Sequence, residues 1–348
     1  MSAESARGAR RRHPARGRMV LFALLLVAAV VLLILFGHPA SLWRRVRRGS
    51  PGWLILSVAL EGCSIVGYIA AFRLLVADAP GTGWRFSAAV TLAGIVATKL
   101  IATLGAGGIA LNVWALRATG MPGREIATRL AAFLVALYTV FMMILLVVAF
   151  GLYLGLLPGP APPELTLIPG LIALGAIGAG AATLRAPRRV SRFVGRLAAV
   201  RAPVGSLAGL AAGAVDSVDA GARRAFAVSR ERPAAIVGAL SYWGLDMLAM
   251  WAALHAFGSP PAFAGVLVSY FVAQLLGALP VPGGIGVVEG GLAGSLIAFG
   301  APGSLALIGV IAYRFISEWL PAVPAVFSYV SLVRTVERRR AEQPEGAR

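Results

Sequence analysis

Glu289 sits where a carboxylate is costly and a helix is broken. It lies near the end of Leu279-Pro280-Val281-Pro282-Gly283-Gly284-Ile285-Gly286-Val287-Val288-Glu289-Gly290-Gly291, two prolines and five glycines inside an apolar region. Lipid offers no water to backbone groups that proline or glycine sets free. Such a stretch is tolerated only against protein or a wet cavity. An ionisable side chain at the same place is a functional candidate by default. Residues 285–300 read as a helix entered through Pro282, Gly283 and Gly284, and a helix N-terminus presents unpaired N–H groups and partial positive charge. Glu289 lies just over one turn in. Two readings stand: it satisfies that helix end, or it coordinates or carries protons beside a substrate headgroup. Gly286, Gly290 and Gly294 share one face and are expected to permit close helix packing.

Other chemistry-bearing residues fall on the neighbouring apolar segments. Arg314 and Glu318 are spaced i, i+4 and share a face. They neutralise one another, or Arg314 anchors a lipid phosphate, which guanidinium suits by geometry; Arg314 can equally pair with Glu289 across helices. Lys99 is the sole lysine among 32 basic residues. It lies about two turns before Gly107 and Gly108, and either snorkels to the interface or faces the same cavity as Glu289. Asp246 lies near mid-span, where it is costly unless paired. His255, nine residues on, falls on the opposite helix face, so these two do not make one metal site. Glu61 and Arg73 share an earlier apolar run. No His-Glu-x-x-His, Gly-x-Ser-x-Gly or phosphate-loop lysine motif occurs. Gly105-x-Gly107-x-x-Ala110 formally matches a dinucleotide fingerprint but lacks a strand–helix–strand setting. No catalytic residue, metal ligand or cofactor is expected.

These residues belong to a chain that is 59% hydrophobic and only 13% charged, with mean hydropathy +0.83. Soluble domains are near a quarter charged. The reading is therefore an all-α, polytopic helical membrane protein. The net charge of +18 collects as arginines at the ends of apolar runs. That is the positive-inside pattern, with anionic lipid as counter-charge, and not the aromatic-interleaved patch of single-strand nucleic-acid binders. Cys63 is the only cysteine, so no internal disulfide or cysteine-based metal site is available. The first apolar run is longer than a signal core and lacks a small-x-small cleavage site, so it reads as a retained span.

Six runs are long enough to cross: 19–36, 53–76, 130–156, 165–184, 234–257 and 304–333. Two more, 86–116 and 262–300, are interrupted by glycine and proline and read as broken or re-entrant segments. The expected organisation is a basic tail over 1–18 and a membrane domain over 19–333, in halves 19–184 and 202–333. A basic cytoplasmic loop, 185–201, joins the halves, and a cytoplasmic tail covers 334–348. Residues 202–230 read as an amphipathic helix at the inner membrane surface or an ordinary solvated one. Gly105-Ala106-Gly107-Gly108-Ile109-Ala110-Leu111 aligns with Val281-Pro282-Gly283-Gly284-Ile285-Gly286-Val287. Paired interrupted segments of this kind point to an inverted repeat with a midplane site. Positive-inside counting places the arginines of 185–201 and the C-terminal tail in the cytoplasm. With 86–116 dipping in and returning, Arg44, Arg45, Arg47 and Arg48 fall outside or in an interfacial segment, against that count.

The motif Pro280-x-Pro282-Gly283-Gly284-x-Gly286-x-x-Glu289, followed by Tyr313-Arg314 and Trp319-x-Pro321, resembles the lysylphosphatidylglycerol synthase transmembrane region, the flippase-like UPF0104 family. The likeness covers roughly 20–335 and implies movement of a phospholipid between leaflets, with Glu289 as the matching acidic position and Arg314 the matching basic one. No aminoacyl-transfer domain is seen after residue 335. The expectation is a multi-pass cell-membrane protein, in a bacterial plasma membrane, that translocates a lipid or lipid-linked intermediate with an anionic headgroup. It is not expected to be an enzyme. The alternatives are a non-transporting scaffold for a lipid-modifying or glycosyl-transferring enzyme and, third, an intramembrane transferase.

Overall fold

The computed structural model describes residues 49–77, 82–100, 106–185, 205–277 and 286–342, and every regular element among them is helical. The helices are α1 (Pro51–Leu75), α2 (Trp84–Leu100), α3 (Ala106–Arg117), α4 (Gly123–Tyr153), α5 (Pro163–Arg185) and α6 (Gly205–Glu231). There follow α7 (Ala234–His255), α8 (Phe263–Gly277), α9 (Val287–Ala298), α10 (Gly303–Arg314), a π-helical turn (Phe315–Trp319) and α11 (Ala322–Glu342). The expected span 19–36, the arginines at 44–48, most of the loop 185–201, and Pro282, Gly283 and Gly284 lie outside the described residues.

Among the described residues five stretches are long and apolar enough to cross a membrane: Pro51–Leu75, Gly123–Tyr153, Pro163–Ala182, Ala234–His255 and Gly303–Arg338. They match five of the six expected spans. Both interrupted regions are pairs of short helices, α2 with α3 and α8 with α9, each packed on its partner. Twelve residues of helix rise only about 18 Å, against a hydrocarbon core of about 30 Å. Neither α3 nor α9 can therefore cross unaided.

Small residues bring these helices together. Without a hydrophobic drive between helices in lipid, close backbone approach and interhelical hydrogen bonds must do the work. α1 and α7 form the most extensive pair. A Cβ added at Gly67 would lie 2.8 Å from the carbonyl of Gly238, so only glycine fits there. Along the same seam Ser57 Oγ donates to the Ala249 carbonyl at 2.8 Å and Ser64 Oγ to the Tyr242 carbonyl at 2.8 Å. Within the α2–α3 pair, a Cβ at Gly108 would lie 2.8 Å from the Gly94 carbonyl. α7 also touches α4, α8 and α10, which makes it the hub of the described bundle. Around it Phe72, Phe133, Phe141, Trp243 and Phe271 form an aromatic core, and Trp243 Nε1 donates to the Leu137 carbonyl at 2.9 Å.

Two expectations need correcting. The Gly290 and Gly294 face is not a packing seam: among the described residues nothing lies within 4 Å of a Cβ added at either. The tight contact falls on Gly291, where an added Cβ would collide with Leu276 Cδ1 of α8. The last apolar run is also not one regular helix. Proline lacks an N–H and clashes with the carbonyl four residues back. Ahead of Pro321 the helix widens, and the Leu320 N–H reaches the Phe315 carbonyl at 3.2 Å. Residues 205–231 form the expected helix, but its small face docks on α4: Ala222, Ala225 and Val228 are buried, and Gly221 meets Ala131.

Candidate functional site

The polar interior of the bundle is built around Asp246 on α7. Tyr270 Oη of α8 donates to Asp246 Oδ2 at 2.7 Å, and Tyr313 Oη of α10 donates to Asp246 Oδ1 at 2.7 Å. Glu61 of α1 is close enough to influence the same carboxyl group electrostatically. Four helices thus meet on one buried acid. The sequence places Asp246 at mid-span at a cost that pairing must offset, and here hydrogen bonds supply the pairing. Glu61 faces it because Ser57, Glu61 and Ser64 recur at spacings of four and three and so share the face of α1 that α7 covers.

Tyr313 is followed by Arg314, and the two neighbours point to two polar groups. Arg314 Nε donates to Glu289 Oε1 at 3.0 Å, and Arg314 Nη1 to Glu318 Oε1 at 2.7 Å. One guanidinium is therefore clasped by carboxylates from two elements, the first turn of α9 and the π turn. Glu289 satisfies the helix end and pairs with Arg314 at once. Its Oε2 accepts the Gly286 N–H at 2.7 Å, while its other oxygen holds Arg314. Gly286 caps α9 at φ +87°, a conformation only glycine adopts readily. The side chains of Arg314, Glu289 and Glu318 keep 19%, 26% and 26% of their surface exposed, so a ligand can reach them.

Of the expected site residues, the structure brings together Glu289, Arg314 and Glu318, with Asp246 next to them through Tyr313. Gly107 and Gly108 open α3, and Gly108 has a sufficient packing reason in its approach to Gly94. Lys99 lies in the last turn of α2, which packs against α1 and α11; the position of its side chain is outside the described residues. No local motif marks Tyr270, and Tyr313 enters the family motif only as the neighbour of Arg314; neither is singled out by the sequence as a ligand of Asp246. A spacing rule within one segment cannot see three segments converge. Among the described residues there is no group of three or more His, Cys, Asp or Glu side chains fit for a metal ion.

A second polar region sits at the C-terminal end of α1. The Val76 carbonyl accepts from Arg129 Nη1 at 2.9 Å, the Leu75 carbonyl from Arg224 Nε at 3.5 Å, and the Ala77 carbonyl from Arg73 and from Thr82 Oγ1, the latter at 2.7 Å. Helix C-termini leave carbonyls unpaired and carry partial negative charge, so arginine suits them. Glu125 holds Arg129 at 2.6 Å from one turn away.

The geometry so far fits a multi-pass membrane protein with an interior polar site. The family model described as the lysylphosphatidylglycerol synthase TM region matches residues 20–325. The chain belongs to this family. A UPF0104 membrane protein of Methanothermobacter thermautotrophicus is 36% identical over 88 residues, which cover 25% of this chain and 26% of that relative. The match spans about a quarter of the relative's length. Glu61, Asp246, Glu289, Arg314 and Glu318 all fall within the part that matches the lysylphosphatidylglycerol synthase TM region.

Proposed function

We propose that this member of the lysylphosphatidylglycerol synthase TM region family translocates a lipid or lipid-linked intermediate between the leaflets of the cell membrane. The observation that carries the reading is the clasp of Arg314 by Glu289 and Glu318 beside the first turn of a short, broken helix. An anionic headgroup entering the membrane interior must have its charge offset, or desolvation forbids it. A phosphate reaching Arg314 displaces one carboxylate oxygen. Glu289 is built for that exchange, because it retains the Gly286 N–H through its second oxygen as it releases the guanidinium. The N–H groups opening α9 supply further positive potential. Asp246, with Glu61, Tyr270 and Tyr313, ties α1, α7, α8 and α10 together next to the clasp. A change at the headgroup is thereby felt by the whole bundle.

The two pairs of short helices are, on this reading, re-entrant arms of an inverted repeat with the site between them. The protein would act on lipids without altering them, and a membrane-associated enzyme that makes or consumes the lipid is its natural partner. The test is leaflet exchange in proteoliposomes with head-labelled anionic and zwitterionic lipids. Wild-type chain should accelerate exchange of an anionic lipid. Glu289→Gln should insert and melt normally yet lose exchange by about tenfold or more, as loss of one charge-assisted bond implies. Equal exchange by both chains would remove Glu289 from the site. No exchange with any lipid tried, with or without a proton gradient, would favour a scaffold that acts only alongside an enzyme.

A further inference from the structure

We propose that Asp246 is a proton-binding site, and that a proton taken up and released there drives the lipid movement proposed above, on which the coupling rests. Asp246 is 7% exposed, in the middle of α7. Its hydrogen bonds come from Tyr270 Oη and Tyr313 Oη, and both donors are neutral. Among the described residues no arginine, lysine or histidine pairs with it, and Arg314, next to Tyr313, is engaged by Glu289 and Glu318. A buried charge without a counter-charge is costly, and a carboxyl escapes that cost by taking a proton. Intramembrane acids mark proton relays for this reason. The other titratable groups around Asp246 are acids and phenols. Glu61 of α1 and Glu318 of the π turn both bear on it. Tyr242, one turn back on α7, feels Asp246 and Glu61 together, and Tyr138 of α4 acts on Tyr242 and on Tyr68 of α1. The arginines of α4 and α6 that reach α1, Arg129 and Arg224, bond carbonyls at its C-terminal end, about 20 Å of helix from Glu61.

Loading the site reverses a hydrogen bond. A carboxylate accepts from both tyrosines; once protonated, one of its oxygens donates, and a tyrosine oxygen must accept from it. The O–H bond formed on Asp246 replaces one broken on a hydronium ion from water on one side. Release returns the proton to water on the other side, and nothing is oxidised or reduced. Two pairs of adjacent residues carry the change to the clasp. Tyr313 holds Asp246 while Arg314 holds Glu289. Tyr270 holds Asp246 while Ser269, the residue before it, accepts from Ser295 Oγ of α9 at 3.0 Å. Ser269, Tyr270 and Ser295 are all buried, and Ser269 Oγ donates onward to the Gly265 carbonyl at 2.9 Å. α9 is also the helix that carries Glu289. Asp246, α8, α9 and α10 thus close a ring. One proton acts on both of its contacts at Asp246, and the Arg314 clasp lies on the opposite side.

The test joins infrared difference spectroscopy of the full chain in lipid, between acid and alkaline buffer, to leaflet exchange in proteoliposomes. Wild type should show a protonated-carboxyl C=O band that disappears as pH rises. Asp246→Asn should lack it. Asp219→Asn, which removes an acid paired with Arg223 on α6, should keep it. Tyr270→Phe and Tyr313→Phe retain the acid and remove one bond each, so the band should remain and shift in frequency. In proteoliposomes with the membrane potential clamped at zero, a pH gradient should concentrate labelled anionic lipid in one leaflet, by about tenfold per pH unit at one proton per lipid. Asp246→Asn should show no such asymmetry. A melting temperature confirms that each variant is folded. A band that survives Asp246→Asn, or that shifts in neither tyrosine variant, would overturn the proton site. Wild-type exchange to the same leaflet distribution with and without the gradient would overturn the coupling and leave translocation standing. Exchange of no lipid, with the band present and lost in Asp246→Asn, would end the translocation reading and uphold the proton site.

Discussion

α1 carries two polar regions that the fold treats differently. At its C-terminal end, Arg73, Arg129 and Arg224 all donate to backbone carbonyls between Leu75 and Ala77. Those carbonyls are orphans of a helix end, and the arginines are explained by satisfying them. Near its middle, Glu61 meets Asp246, which is held in turn by Tyr270 and Tyr313. There the side chains satisfy one another, and no helix end requires them. Buried ionic and polar clusters of that kind contribute little net stability, and apolar replacements often fold as well or better. The difference teaches where to look for function. The arginine end has a structural reason; the interior acids are a cost that folding does not demand, and Tyr313 places Asp246 beside the Glu289 and Glu318 clasp on Arg314, where the proposed function would use it.

The largest effect should come from breaking the interior side. Arg314→Ala removes the group held by both Glu289 and Glu318. Exchange of an anionic lipid should fall about 10- to 100-fold, the rate equivalent of one or two charge-assisted hydrogen bonds. Arg314→Lys keeps the charge but loses the fork geometry and should recover only part of it. Initial exchange rates, normalised to inserted protein, measure both.

Breaking the other side should read out as stability. Arg129→Ala leaves the buried Val76 carbonyl without its donor and should lower stability by about 2 kcal/mol. Thermal unfolding in detergent would show it, and exchange per folded molecule should be unchanged. A loss of exchange at full stability would mean that the arginine end is also functional. The smallest effect sharpens the comparison. Tyr313→Phe keeps the ring and removes one hydrogen bond to Asp246, worth about 1 kcal/mol. Exchange should fall several-fold while the melting temperature moves little, because the ring still packs between α7 and α10.

The breaks in the chain were legible in the sequence, because proline and glycine act locally. Pro280 to Gly284 separates α8 from α9, and the glycines at 105–108 accompany the start of α3. Glu289 and Arg314 were legible as one possible pair among others, since both are ionic and both lie in apolar segments. The ring around Asp246 was not legible. Tyr270 reads as an ordinary aromatic residue of an apolar helix and Tyr313 only as the neighbour of Arg314, and only tertiary packing turns their hydroxyls onto one carboxyl group. The only advance sign was the cost of leaving Asp246 unpaired. The glycine seam of α9 failed for a related reason. Periodicity shows that Gly286, Gly290 and Gly294 share a face, but not which face a neighbour chooses, and α8 chose the one with Gly291. The π turn has a local cause in Pro321, yet the choice of widening over kinking depends on what surrounds it.

The most direct measurement compares Asp246→Asn with Arg129→Ala in one preparation, recording the exchange rate of a head-labelled anionic lipid and the melting temperature of each. The prediction is that Asp246→Asn melts close to wild type with exchange lost, whereas Arg129→Ala melts lower with exchange per folded molecule retained. The opposite pattern, a collapsed Asp246→Asn and an Arg129→Ala that folds but does not exchange lipid, would contradict the division between a functional interior and a structural end.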